Sequence, residues 1–194
     1  FDATEGSLVG LATEIALAYE VEAPVALLEE KVLDPGNTVA SRIQTLQGLA
    51  GQAPEALSPL WDTLLNTGDA AFKGAVVTQL IDLEERRGIK EAIALVESKN
   101  LRMRQVGYAI LAEVDALEAT EVFRTRLASL SSEKPGALLD LLEGAKKKEN
   151  DPVISELLAS YEASIDPSDP SAPYLPALKG GDAERGAEIF ATHA

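Results

Sequence analysis

The chain has 194 residues and carries 32 acidic against 17 basic side chains, a formal net charge of −15. That charge excludes a surface tracking a nucleic-acid backbone and opposes insertion among anionic lipids, leaving a basic protein as the compatible class of partner. No cysteine is present, so disulfides, thiolate metal sites and thiol catalysis are excluded within this stretch.

Hydrophobic residues reach 46% while aromatics are only 5%, and this Leu- and Ala-rich mixture favours helices over strands. Apolar residues at offsets of three and four predict helices over 6–20, 23–33, 38–50, 54–65, 69–86, 88–98, 101–114, 117–131, 135–148 and 151–164. No apolar run approaches the roughly 18–20 residues of a membrane span. The joints between helices carry turn chemistry: Asp34-Pro35-Gly36-Asn37, Asn66-Thr67-Gly68-Asp69, Ser98-Lys99-Asn100 and Ser131-Ser132-Glu133-Lys134-Pro135. Such residues cap or break helices through side-chain bonds to free N–H groups, permissive φ, or a missing donor.

The interior repeats with a step of 31 residues. Arg42, Lys73 and Arg104 share one place in the unit, followed by Leu46, Val77 and Tyr108, and then by Leu49, Leu80 and Leu111. The apolar ladder runs on to Leu139 and Leu142 and back to Ile15 and Ala18. A single helix pair cannot bury its apolar stripe, whereas stacked pairs share one core. The expected fold is therefore all-α: an α-solenoid of about four helix pairs over residues 1–164.

Neither the tetratricopeptide W…LG…Y signature nor the ankyrin T-P-L-H occurs. Asp34 with Arg42, Asn66 with Lys73, and Glu97 with Arg104 instead resemble the turn acid and second-helix cation of short HEAT repeats. That resemblance implies a right-handed superhelix. Arg42, Lys73 and Arg104 are accordingly read as a ladder, each cation bonding the carboxylate or amide at a turn and tying successive repeats together. The competing reading of the three is a basic stripe that receives an acidic partner.

Residues 165–180 contain four prolines and no helical periodicity, which predicts an extended connector that lies on the last helices or bridges to a next domain. Its apolar Tyr174, Leu175 and Leu178 argue for docking rather than free flexibility. Residues 181–194, GDAERGAEIFATHA, resemble the first helix of a c-type cytochrome module. The order of helical repeats, then Asp169-Pro170, Tyr174, Leu178, Gly180 to Gly186 and Ile189-Phe190, is similar to the central region of large exported haem-binding proteins of planctomycetes and verrucomicrobia. In that family a dehydrogenase-like propeller precedes the repeats and a cytochrome c domain follows. The resemblance implies a C-x-x-C-H site, and with it haem c, downstream of Ala194, and no cofactor on this chain itself. It also implies a periplasmic or secreted location.

The remaining candidates support no catalysis. His193 is the single histidine and cannot alone build a zinc site, which needs about four N or S ligands, or a Ser–His–Asp set. Arg86-Arg87 and Lys146-Lys147-Lys148 are read as cations at helix C-termini, where the macrodipole favours them. Glu29-Glu30, Asp82 and Glu84-Glu85 are read as solvent-facing acids, and Trp61 as a helix–helix filler. The function expected is that of a non-catalytic, non-metal scaffold whose partners are neighbouring domains of the same polypeptide. The alternative is a stand-alone protein–protein adaptor using its concave face.

Overall fold

The computed structural model describes residues 25–179. These residues form helices and no strand. They divide into two compact units between Gly88 and Ile89, a boundary that the sequence periodicity does not mark. Residues 1–24 and 180–194, with the helix predicted over 6–20, the cytochrome-like segment and His193, lie outside the described residues.

The first unit contains α1 (Val25–Leu33), α2 (Val39–Gln52), a 3-10 stretch (Pro54–Leu60), α3 (Trp61–Leu65) and α4 (Ala70–Leu83). Helix starts coincide with the turn chemistry. Thr38 accepts from the Ser41 N–H before α2, and Asp69 accepts from the Phe72 N–H at 2.7 Å before α4. Each cap satisfies a donor that the first helical turn leaves free. The segment expected as one helix over 54–65 is split, because Pro59 lacks an N–H and its ring obstructs the i→i−4 ladder. Leu28, Val32, Leu46, Leu49, Leu57, Phe72, Val77 and Leu80 are fully buried. At about 25 cal/mol per Å² of apolar surface, such burial is the main favourable contribution to folding.

Helix α5 (Glu85–Val96) begins three residues earlier than expected. Glu84, with φ −137° and ψ 64°, ends α4 there. Gly88 consequently lies inside the first turns of α5, against Ile81 of α4. Arg86 and Arg87, expected at a helix C-terminus, stand at an N-terminus instead. There the macrodipole disfavours cations, and Arg87 is neutralised by Asp62 at 2.6 Å and Glu84 at 3.6 Å.

The second unit holds the rest of α5 with α6 (Leu101–Glu113), α7 (Leu117–Ala128), 3-10 turns at Leu130–Ser132 and Pro135–Ala137, α8 (Leu138–Lys146) and α9 (Pro152–Ala163). Asn100 caps α6 through the N–H groups of Arg102 and Met103. Asp151 caps α9, with Pro152 at its first position. Tyr108, Leu111, Ala119, Phe123, Leu141 and Ile154 form the core, with the Tyr108 and Phe123 rings tilted at a centroid distance of 6.0 Å. The ladder positions Leu46, Val77, Tyr108, Leu49, Leu80 and Leu111 are all fully buried. In the last unit Leu142 is buried but Leu139 only partly.

The tail departs from an extended connector. After Ile165 it makes two turns in which Asp166 and Asp169 accept from Ser168 and Ser171, then a 3-10 turn (Ala172–Tyr174) and a short helix α10 (Leu175–Lys179). Proline at the start of a helical turn needs no N–H partner, so Pro173 and Pro176 fit these turns rather than forbidding them. Helix α10 packs on α8 and on the Pro135–Ala137 turn. The residue that docks is Pro176, which is buried. Tyr174, Leu175 and Leu178, expected to dock, remain exposed at 68%, 45% and 73%.

Candidate functional site

Among the described residues a set of polar side chains joins helices about one repeat apart. In the second unit the centre of this system is Glu133, in the turn before α8, whose side chain is 1% exposed. Its carboxylate accepts from the Arg104 guanidinium and the Tyr108 hydroxyl, both on α6, and from the Lys134 N–H at 2.8 Å. Next to it, Gln105 Nε2 donates to the Gly136 carbonyl at 3.0 Å across a sequence separation of 31. Burial pushes the Glu133 carboxyl upward, but the bonds from Tyr108, the Lys134 N–H and Arg104 outweigh it, so the group is held below its ordinary value. Burial, and then the bond to Glu133, raises the Tyr108 phenol. At neutral pH the cluster is a fixed anion between a cation and a neutral hydroxyl, with no proton poised for transfer.

Further links have the same reach. Arg124 Nε donates to Asp151 Oδ1 at 3.1 Å across 27 residues, and Arg126 bonds Glu97 across 29. Lys147 bonds Glu113 and Lys148 donates to the Val114 carbonyl, each across 34. Lys147 and Lys148 thus hold the C-terminal end of α6, while Lys146, the last residue of α8, stands 3.9 Å from Glu162 of α9. In the first unit Trp61, 1% exposed, donates through Nε1 to Glu84 at 2.8 Å.

None of the three ladder residues bonds the Asp34, Asn66 or Glu97 side chain matched with it in the sequence, but Arg104 does bond a turn carboxylate of the next repeat, Glu133. Asp34 instead accepts from Gly36 N and Asn37 within its own turn, and Glu97 is engaged by Arg126. Arg42 Nε donates to the Val32 carbonyl at 2.9 Å, and its guanidinium stacks 3.8 Å from the centre of the Phe72 ring. Arg104 reaches the Ser98 carbonyl at 3.5 Å as well as Glu133. Both arginines therefore do the same two things: they hold the chain at the end of the preceding helix and touch the next repeat. Lys73 forms no side-chain hydrogen bond or ion pair among the described residues. A guanidinium fork can serve two partners at once, which a single ammonium on a flexible stem does poorly.

Sequence reasoning missed Glu133 and Tyr108 as a pair. The available signal was Tyr108 itself, a hydroxyl-bearing residue in the buried slot that holds Leu46 and Val77 elsewhere, since a buried Tyr O–H requires a partner. It also missed Asp140 on α8. Burial raises this carboxyl, against a hydrogen bond from Gln105, and its Oδ2 is buried without a partner. Glu29, Glu30, Asp82, Glu84 and Glu85 are exposed or half-buried. Among the described residues no group of three or more His, Cys, Asp or Glu side chains could hold a metal. No helix among them is long and apolar enough to cross a membrane.

Acid should unfold the second unit through these links. Hydrogen bonds from Lys147, Arg124, Ser168 and Ser171 hold Glu113, Asp151, Asp166 and Asp169 below the ordinary carboxylate range, as the cluster bonds do for Glu133. A depressed folded-state value contributes stability that is complete above the unfolded value and lost as pH falls through the folded one. Asp140, raised on folding, works in the opposite sense and gains as pH falls. The urea midpoint followed by far-UV circular dichroism should be flat from pH 7 to about 5 and drop below roughly pH 4. A midpoint unchanged at pH 3 would contradict the ion-pair assignments.

No family model, curated protein or solved structure matches this chain.

Proposed function

We propose that the chain is a non-catalytic helical-repeat scaffold of the HEAT type, a right-handed α-solenoid that sets the spacing of domains flanking it in a larger haem-binding protein. The observation that carries the reading is the recurrence of polar links at sequence separations of 25 to 35 residues. These separations bracket the 31-residue repeat, so charged groups that could serve a pocket are spent on holding one helix pair against the next. Stacked repeats fix distance better than a flexible linker does. With no cysteine in the sequence, a thioether-bound haem does not fit on this chain. In this reading the propeller and the haem belong to neighbouring domains, and the protein is exported to the periplasm or beyond.

The test is to express the natural coding sequence extended roughly 100 residues past Ala194, about one domain, under haem-maturation conditions and to record the visible spectrum. A c-type Soret and α band is the expected result. A reading frame without C-x-x-C-H, or a matured protein without haem, would remove the cytochrome part of the proposal. The second reading, a stand-alone protein–protein adaptor, is favoured by the exposed apolar side chains of the tail and would then take its place.

A further inference from the structure

We infer that the tail of the second unit is a docking surface for a basic amphipathic segment of another protein. Tyr174, Leu175 and Leu178 are one turn apart or adjacent and project from α10 and the turn before it, 45% to 73% exposed. Between them Pro176 is buried and anchors the ridge. Exposed large apolar residues grouped in this way mark interaction sites more often than isolated ones do.

Two clefts adjoin the ridge. One, ≈ 550 Å³, is lined by apolar Leu138, Ile165 and Pro176 together with the carboxylates Glu133, Asp166 and Asp169. The other, ≈ 410 Å³, is lined by Leu139, Leu158 and Tyr174, with Glu143, Glu162 and Lys146 among its polar residues. Each has the size of a site for one or a few side chains. Leu139, the ladder residue left partly exposed in the last repeat, lies in the second.

Charge selects the occupant. From Glu149 to Leu178 the sequence has no lysine or arginine, and its carboxylates include Glu156, Glu162, Asp166 and Asp169. Asp166 and Asp169 are held ionised by the Ser168 and Ser171 bonds. The ammonium of Lys146 stands 3.9 Å from Glu162. A second copy of the chain would bring the same acidic rim against itself, which disfavours a symmetric dimer through this ridge. A membrane surface or nucleic acid would meet like charge. A segment carrying apolar residues between lysines or arginines satisfies both features, its apolar side chains entering the clefts and its cations meeting the rim. This inference deepens the interaction side of the proposed function without involving haem: a missing Soret band would leave it standing, and a failed docking test would leave the scaffold standing.

The test uses the full 194-residue chain and two labelled synthetic helical peptides, one alternating Leu with Lys faces and one with every Lys replaced by Glu, titrated by fluorescence anisotropy. The Lys peptide should bind and the Glu peptide should not, with affinity falling as salt rises. The Leu175→Ser/Leu178→Ser double variant and the Asp166→Asn/Asp169→Asn double variant should each weaken binding about tenfold or more. Glu29→Gln/Glu30→Gln, which removes equal charge from the first unit, should change it less than about twofold. All altered positions are exposed or half-buried, and unchanged circular dichroism melts will verify folding. Equal weakening by all three variants, no binding of the Lys peptide, or self-association in sedimentation that Leu178→Ser abolishes would each overturn the inference.

Discussion

Replacing Glu133 with alanine should cost about 3–5 kcal/mol, the usual consequence of removing one partner of a buried ion pair. Arg104 is 7% exposed and its Nε already lacks a partner. Without Glu133 its charge would stay buried with only the long bond to the Ser98 carbonyl, and the Tyr108 hydroxyl would lose its acceptor. The loss should appear as a lower urea midpoint by far-UV circular dichroism. Trp61 is the one tryptophan of the sequence and lies in the first unit, so its fluorescence reports on the other half of the chain. Replacing the whole cluster (Arg104→Met, Tyr108→Phe and Glu133→Met) should restore most of the stability, because desolvation of the charges is then avoided. A loss below about 1 kcal/mol for Glu133→Ala would mean that the carboxylate is solvated and the cluster loose.

Gly88→Ala should destabilise the first unit by about 2–3 kcal/mol although alanine is the better helix former. Propensity alone favours alanine by about 1 kcal/mol. The added Cβ, however, would lie 2.4 Å from Ile81 N and 2.6 Å from Ile81 Cα, backbone atoms that cannot turn aside as a side chain can, and overpacking of this kind typically costs about 1–3 kcal/mol or more. Gly51→Ala in α2 should do the opposite and gain about 0.5–1 kcal/mol, since nothing lies within 4 Å of the added atom. Urea unfolding followed by Trp61 fluorescence checks both. Equal gains at the two positions would show that α4 and the first turns of α5 do not approach as closely as described.

Much of the helical layout was legible because its signals are local. Thr38, Asp69, Asn100 and Asp151 each cap a helix near its expected start, and the repeat-spaced Leu46, Val77 and Tyr108 are buried as their period requires. The misreadings have physical causes. The roles inferred for Arg86 and Arg87 from proximity in sequence depended on where helices end. A three-residue shift at Glu84 moved Arg86 and Arg87 from the favourable to the unfavourable end of the dipole. Proline density suggested an extended tail, yet proline is compatible with the first position of a helical turn, and two such turns follow Ser171.

The sequence by itself determined that the described chain is helical, where most helices begin, and that the repeat-spaced Leu46, Val77 and Tyr108 face the core, since these follow from caps and from a 3.6-residue period read over neighbouring residues. Tertiary structure alone decided the partners. Glu133 and Arg104 are 29 residues apart, Asp151 and Arg124 27, and which of many acids a cation meets depends on the register of one helix against another. It also decided that Gly88 must remain glycine while Gly51 need not, and that Pro176 is buried while Tyr174 and Leu178 face solvent. The same residue types gave opposite outcomes because packing distance and burial belong to the folded arrangement rather than to the residue.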